Sequence, residues 1–191
     1  MIEFKENNTG ILPYDREHYI DFLDDDFDSD TKWCAVSLQM NSEEEKNRLS
    51  QFVDVFESIF KKVISKLDNG VSWIINHDDK DMNWFLNDKD NLEALRTVFK
   101  QNNVQNTFIG SLILEKEDLL ELAQDLISYP YVLSYKDVDI SHSKLQFIIK
   151  ITSHLTIDLL SMDKELLRKI VNENSSNKII IKEYRGTSLW T

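Results

Sequence analysis

The chain has 191 residues, of which 41% are hydrophobic, and 34 acidic against 22 basic residues leave a net charge of −12. That length suits a single domain over residues 1–191, with enough Phe, Trp and Tyr for a sizeable core. The charge excludes a basic nucleic-acid-binding surface, because phosphate contacts need clustered Lys and Arg. No window reaches the roughly 20 apolar residues that span a bilayer, and the N-terminal segment lacks the apolar core of a secretory signal. One cysteine, Cys34, forms no internal disulfide and no thiolate metal cluster. The expectation is a cytoplasmic protein with no membrane contact and no cofactor. Composition is silent on oligomeric state.

Negative charge is concentrated in the first two thirds. Residues 1–125 sum to roughly −14 and residues 126–191 to roughly +2. Residues 1–13 carry little pattern. From Tyr14, the apolar Tyr19, Phe22, Leu23 and Phe27 suggest one side of a short helix that ends in DDDFDSD. Asp24, Asp25, Asp26 and Asp28 stand too close together to be buried without counter-charges. They lack the ordered spacing, central Gly and closing Glu of a calcium loop.

Residues 32–40 read as a strand, with Trp33, Ala35 and Ser37 on one face and Cys34, Val36 and Leu38 on the other. A helix follows over residues 42–67. Ser42 and Glu45 form a capping box, and Leu49, Phe52, Val53, Phe56, Ile59, Phe60, Val63, Ile64 and Leu67 make a wide apolar stripe. Asn69-Gly70 ends it. Residues 71–76 form a strand that opens into a long polar loop. There Trp84 and Phe85 either tuck into the core or form a contact surface beside Asp78, Asp79 and Asp81. Asp90 caps a helix to about residue 101, and residues 107–114 make a strand in which Gly110 marks a bulge or a close backbone approach.

Residues 115–129 form a helix that Pro130 is expected to stop. Residues 131–135 read as extended. The densest β-branched run follows: Leu145, Phe147, Ile149 and Ile151, then Leu155, Ile157 and Leu159, alternate with their neighbours as a hairpin with one covered face. A short helix capped by Asp163 and a strand over residues 178–184 complete the order. The fold class is α+β, a mixed and largely antiparallel sheet covered mainly on one face by helices, with the hairpin as its central element. The early strand–helix–strand alternation leaves a partly parallel sheet open.

Nucleotide, serine-hydrolase and zinc-protease fingerprints are absent, so no catalytic residue is assigned. Two polar clusters remain. His77, Asp78, Asp79 and Asp81 follow a strand end, and Asp137, Asp139 and His142 lie within KDVDISHS, with His154 and Asp158 on the hairpin. Converged at one sheet edge, His77, Asp79, Asp137, Asp139 and His142 would suit a divalent metal and a small hydrolytic enzyme. The bland alternative is a solvated loop and an Asp-built turn.

The leading functional expectation is an acidic interaction domain that inhibits a basic partner, in the manner of an immunity or antitoxin-like protein acting on a nuclease or other toxin. Asp24, Asp25, Asp26, Asp28, Asp78, Asp79 and Asp81 would supply charge, with Trp84 and Phe85 as anchors. A metal-dependent enzyme is the first alternative, and a structural subunit of an assembly the second.

Overall fold

The structure, a computed structural model, describes residues 2–6, 9–17, 19, 32–41, 48–67, 70–77, 83–85, 91–133, 137–184 and 189–190. Its strands are β1 (Glu3–Glu6), β2 (Cys34–Met40), β3 (Trp73–His77), β4 (Gly110–Leu114), β5 (Val138–His142), β6 (Phe147–Ile151), β7 (Thr156–Ser161) and β8 (Ile179–Glu183). Helices are α1 (Arg48–Leu67), α2 (Glu93–Gln101), α3 (Lys116–Glu121), α4 (Ala123–Val132) and α5 (Lys164–Asn174). The strands form one eight-stranded sheet in the order β1-β4-β3-β5-β6-β7-β2-β8. Every pairing is antiparallel, so the α+β class holds and the partly parallel alternative does not. No helix among the described residues is long and apolar enough to cross a membrane.

Alternation along the strands explains which face the helices cover. Val36, Leu38, Trp73, Ile75, Leu112, Leu114, Val138, Ile140, Phe147, Ile149, Ile157 and Leu159 share one core with the apolar stripes of α1 to α5. The hairpin of β6 and β7 sits in the middle of the sheet, as its apolar density predicts. Its turn is closed by Leu155, in the left-handed region at φ 59°, and by Thr156 accepting from the Thr152 amide. Asp163 caps α5 by accepting from the Leu166 amide at 3.0 Å. Capping at Ser42 and at Asp90 falls outside the described residues.

Three local expectations are corrected. The helix does not stop at Pro130, because α4 continues to Val132 with Pro130 inside it. Proline forfeits one helical bond there, and burial of Tyr129, Pro130 and Leu133 offsets that loss. Tyr131 and Val132 are accordingly helical rather than extended. The Asp-rich run KDVDISHS contains a full strand, β5, with Val138 and Ile140 toward the helices and Asp139 and Ser141 toward the other face. Residues 3–6, featureless in sequence, pair with β4 as an edge strand.

Gly110 needs to be glycine. Its φ is 153°, and a β-carbon there would overlap the carbonyl oxygen of Lys5 on β1. This is the close backbone approach its position in an apolar strand suggested.

Candidate functional site

The second face of the sheet carries a charged row built by register. Asn76 on β3 lies opposite Asp139 on β5, Asp139 opposite Lys150 on β6, and Lys150 opposite Asp158 on β7. Asp158 lies opposite Ser37 on β2, and Ser37 opposite Lys182 on β8. On the other side Ser111 donates to the Asn76 amide oxygen and pairs with Lys5 on β1. One polar residue from every strand therefore stands in a single line across the sheet.

The centre of that line is buried: Asp139 is 0%, Asp158 3% and Lys150 4% exposed. Burial of ionised groups is tolerated only when each is paired and hydrogen-bonded. Lys150 Nζ lies 3.5 Å from Asp139 Oδ1 and 3.4 Å from Asp137 Oδ2. Tyrosines supply further donors. The Tyr19 hydroxyl donates to Asp139 Oδ1 at 3.0 Å, and the Tyr184 hydroxyl to Asp158 Oδ2 at 2.6 Å. Tyr14 shares a 3.1 Å hydrogen bond with Ser141.

Desolvation dominates the electrostatics. Burial pushes the Asp158 carboxyl above the ordinary carboxylate range, against the lowering influence of Tyr184, Ser37 and Lys150. Tyr14 and Tyr184 are raised as well, first by burial and then by the negative charge of Asp139 and Asp158 respectively. In all three groups burial is the largest cause, and the charges of Asp137, Asp139 and Asp158 on the same face add to it.

An aromatic cluster covers the neighbouring apolar row. Tyr14, Tyr19 and Trp33 pack edge-on or tilted with ring centroids 5.4 to 5.6 Å apart, above Ala35, Ile148 and Leu160. Edge-to-face contacts of this kind add to the area they bury.

The alternative metal constellation does not converge among its described members, His77, Asp137, Asp139 and His142. His77 and His142 face the helices from opposite ends of the β3–β5 ladder, whereas Asp139 faces the other side. Both imidazoles are engaged in the fold. His142 Nδ1 accepts from the amides of Lys144 and Leu145 at 3.1 and 2.9 Å, so Nε2 carries the proton and donates to the Leu67 carbonyl. The His142 ring thus ties the β5–β6 turn to the end of α1. His77 Nε2 bonds the Tyr129 hydroxyl at 3.0 Å, which itself donates to the Trp84 carbonyl. Asp137 holds Lys150 and accepts from the Ser153 amide at 3.1 Å, bracing the hairpin turn. Asp79 lies outside the described residues, and among those described no group of His, Cys, Asp and Glu is arranged to hold a metal ion.

Trp84 and Phe85 are corrected as contact anchors. They are 0% and 3% exposed and belong to the main core. Trp84 packs on His77, Tyr129 and Phe99, and its indole N–H donates to the Gly110 carbonyl at 2.9 Å. Phe85 meets Phe99 edge-on beneath the Arg96 guanidinium. Burying two large rings outweighs keeping a polar loop free of them. Asp24, Asp25, Asp26, Asp28, Asp78, Asp79 and Asp81 lie outside the described residues.

Sequence reading named Asp137, Asp139 and Asp158 but missed Lys150, Tyr19 and Tyr184 as their partners. The signal was present as one charged residue in each of two largely apolar strands, FIIKI and TIDLLS. Compared with known protein families, curated proteins and solved structures, the chain gives no match.

Proposed function

We propose that this chain is an acidic protein-binding domain that neutralises a basic partner, as an immunity or antitoxin-like inhibitor does. One contact carries the reading. The Arg16 guanidinium lies 3.4 Å from the carbonyl oxygen of His77, so the first acid-rich stretch, residues 14–30, begins beside the residue that precedes the second, Asp78 to Asp81. The two are far apart in sequence and adjacent at this point in the fold. Tyr19 and Trp33, which flank Asp24, Asp25, Asp26 and Asp28 in sequence, belong to one aromatic cluster, with ring centroids 5.6 Å apart.

Charge of one sign concentrated in two stretches of the sequence steers a basic partner and raises its association rate, with a marked dependence on salt. No aromatic anchor at Trp84 or Phe85 is needed for this, and none is invoked.

The test is capture of partners from native lysate with the tagged full chain, at low and high salt, followed by affinity measurement on the purified pair. Replacing Asp24, Asp25 and Asp26 together by Asn is expected to slow association and flatten its salt dependence. A basic partner bound with unchanged rate and salt dependence by that variant defeats the assignment to this stretch. Absence of any stoichiometric basic partner defeats the inhibitor reading itself.

A further inference from the structure

We propose that the two edges of the sheet, β8 and β1, pair with each other between copies of this chain, giving head-to-tail antiparallel assembly. Edge strands offer unpaired backbone groups, and β8 and β1 end the strand order. Both are accessible: Ile180 is 41% exposed, and Glu3, Lys5, Glu6, Lys182 and Glu183 are exposed as well.

The backbone directions agree. The Tyr184 amide donates inward to the Ala35 carbonyl, and the Lys178 carbonyl accepts inward from Asn41. Amides alternate in direction along a strand, so those of Ile181 and Glu183 face outward, while the Ile179 amide donates to the Ser176 carbonyl at 3.2 Å. On β1 the Lys5 carbonyl points at Gly110 of β4, so Phe4 and Glu6 face outward. Matching outward residues while keeping the helix-covered faces on one side leaves registers that differ by two residues.

Charge selects among them. With Phe4 opposite Ile181, Glu3 of one copy, which pairs with Lys5 of its own strand at 3.3 Å, stands opposite Lys182 of the next and joins the two lysines, with Lys5 opposite Ile180. A shift of two residues one way sets Lys5 against Lys178, and the other way against Lys182. Like charges directly opposite are destabilising, so both shifts are disfavoured. The chosen register also makes Glu3 and Lys182 a non-hydrogen-bonded pair, the kind whose side chains approach most closely. On the larger scale it joins the terminal third, at roughly +2, to the body at roughly −14.

The interface is heterologous, because different surfaces meet on the two copies. Its products are open chains, or rings where the rotation closes. It uses only the two outer ends of the charged row, Lys5 and Lys182, and none of the acid-rich stretches, so it stands or falls independently of the partner-binding reading.

Sedimentation and light scattering of the full chain at physiological salt, over a wide concentration range, read the association directly. Average mass is expected to rise with concentration. Glu3→Lys or Lys182→Glu alone should weaken association by roughly fivefold, and the two together in one chain should restore it. Hydrogen exchange at Phe4, Ile181 and Glu183 should slow as concentration rises. A monomer at every concentration overturns the proposal. So does association indifferent to the charge swap, or protection that arises away from β1 and β8.

Discussion

Lys150 stands directly opposite Asp139 on the adjoining strand, Nζ 3.5 Å from Oδ1, with both residues buried in the middle of the sheet. The pair belongs to a line in which Asp158 flanks Lys150 on the other side. Removing the ammonium leaves carboxylates buried without compensation. Lys150→Met is therefore expected to cost about 3 kcal/mol or more in urea unfolding. A loss below about 1 kcal/mol would mean that water reaches the row and the ion pair is screened.

Tyr19 is the hydroxyl donor to that same Asp139 oxygen. Tyr19→Phe keeps the ring in its aromatic cluster and deletes one hydrogen bond to a charged group, at a cost of about 2 kcal/mol. Tyr19→Leu adds loss of the ring contacts with Tyr14 and Trp33 and should cost more. Equal stability of the two variants would assign the effect to the hydrogen bond alone.

Asp158 gives a pH prediction. Its carboxyl is raised in the folded chain, chiefly by burial, above its ordinary value in the unfolded chain. Below the ordinary value it is protonated in both states and contributes nothing. Across the window from the ordinary to the raised value, the folded state holds its proton more tightly, so this contribution falls as pH rises. Above the window the full penalty of the buried charge remains. Asp158→Asn should flatten this limb and lose less stability at neutral pH than at acid pH, measured by denaturant unfolding across pH. An unchanged slope would refute the assignment.

Trp84 reports on the corrected loop. Trp84→Ala is expected to destabilise the fold by about 3–5 kcal/mol, the usual cost of emptying a buried aromatic site. Among molecules that remain folded, affinity for a basic partner should not change. A variant of wild-type stability that binds weakly would return Trp84 to the surface.

Gly110→Ala tests the closeness of β1 and β4. The new methyl group meets the Lys5 carbonyl, and φ of 153° suits no L-residue. Release of β1 should appear as faster hydrogen exchange at Phe4 and Lys5 while β6 and β7 stay protected. Uniform protection would count against the contact.

The amino-acid sequence by itself determined the helix-covered half of this fold. Period-two alternation through residues 145–160 and the apolar stripe of residues 49–67 are local patterns, and burial of apolar area makes them decisive. For the same reason Val36 and Leu38 were readable as one face and Ala35 as the other. The tertiary structure alone decided the rest. Whether Trp84 faces water or core depends on a cavity lined by Tyr129 and Phe99, which come from elsewhere in the chain. Pro130 was read by its missing N–H, yet packing around Tyr129 carried the helix past it. His142 looked like a ligand because its backbone partners, at Lys144, Leu145 and Leu67, are matters of geometry. The charged row depends on register between strands, and register is set by pairing between distant segments. Asp139, Lys150 and Asp158 are each the one Asp, Glu, Lys or Arg of their strand, and only alignment of β5, β6 and β7 makes them one site.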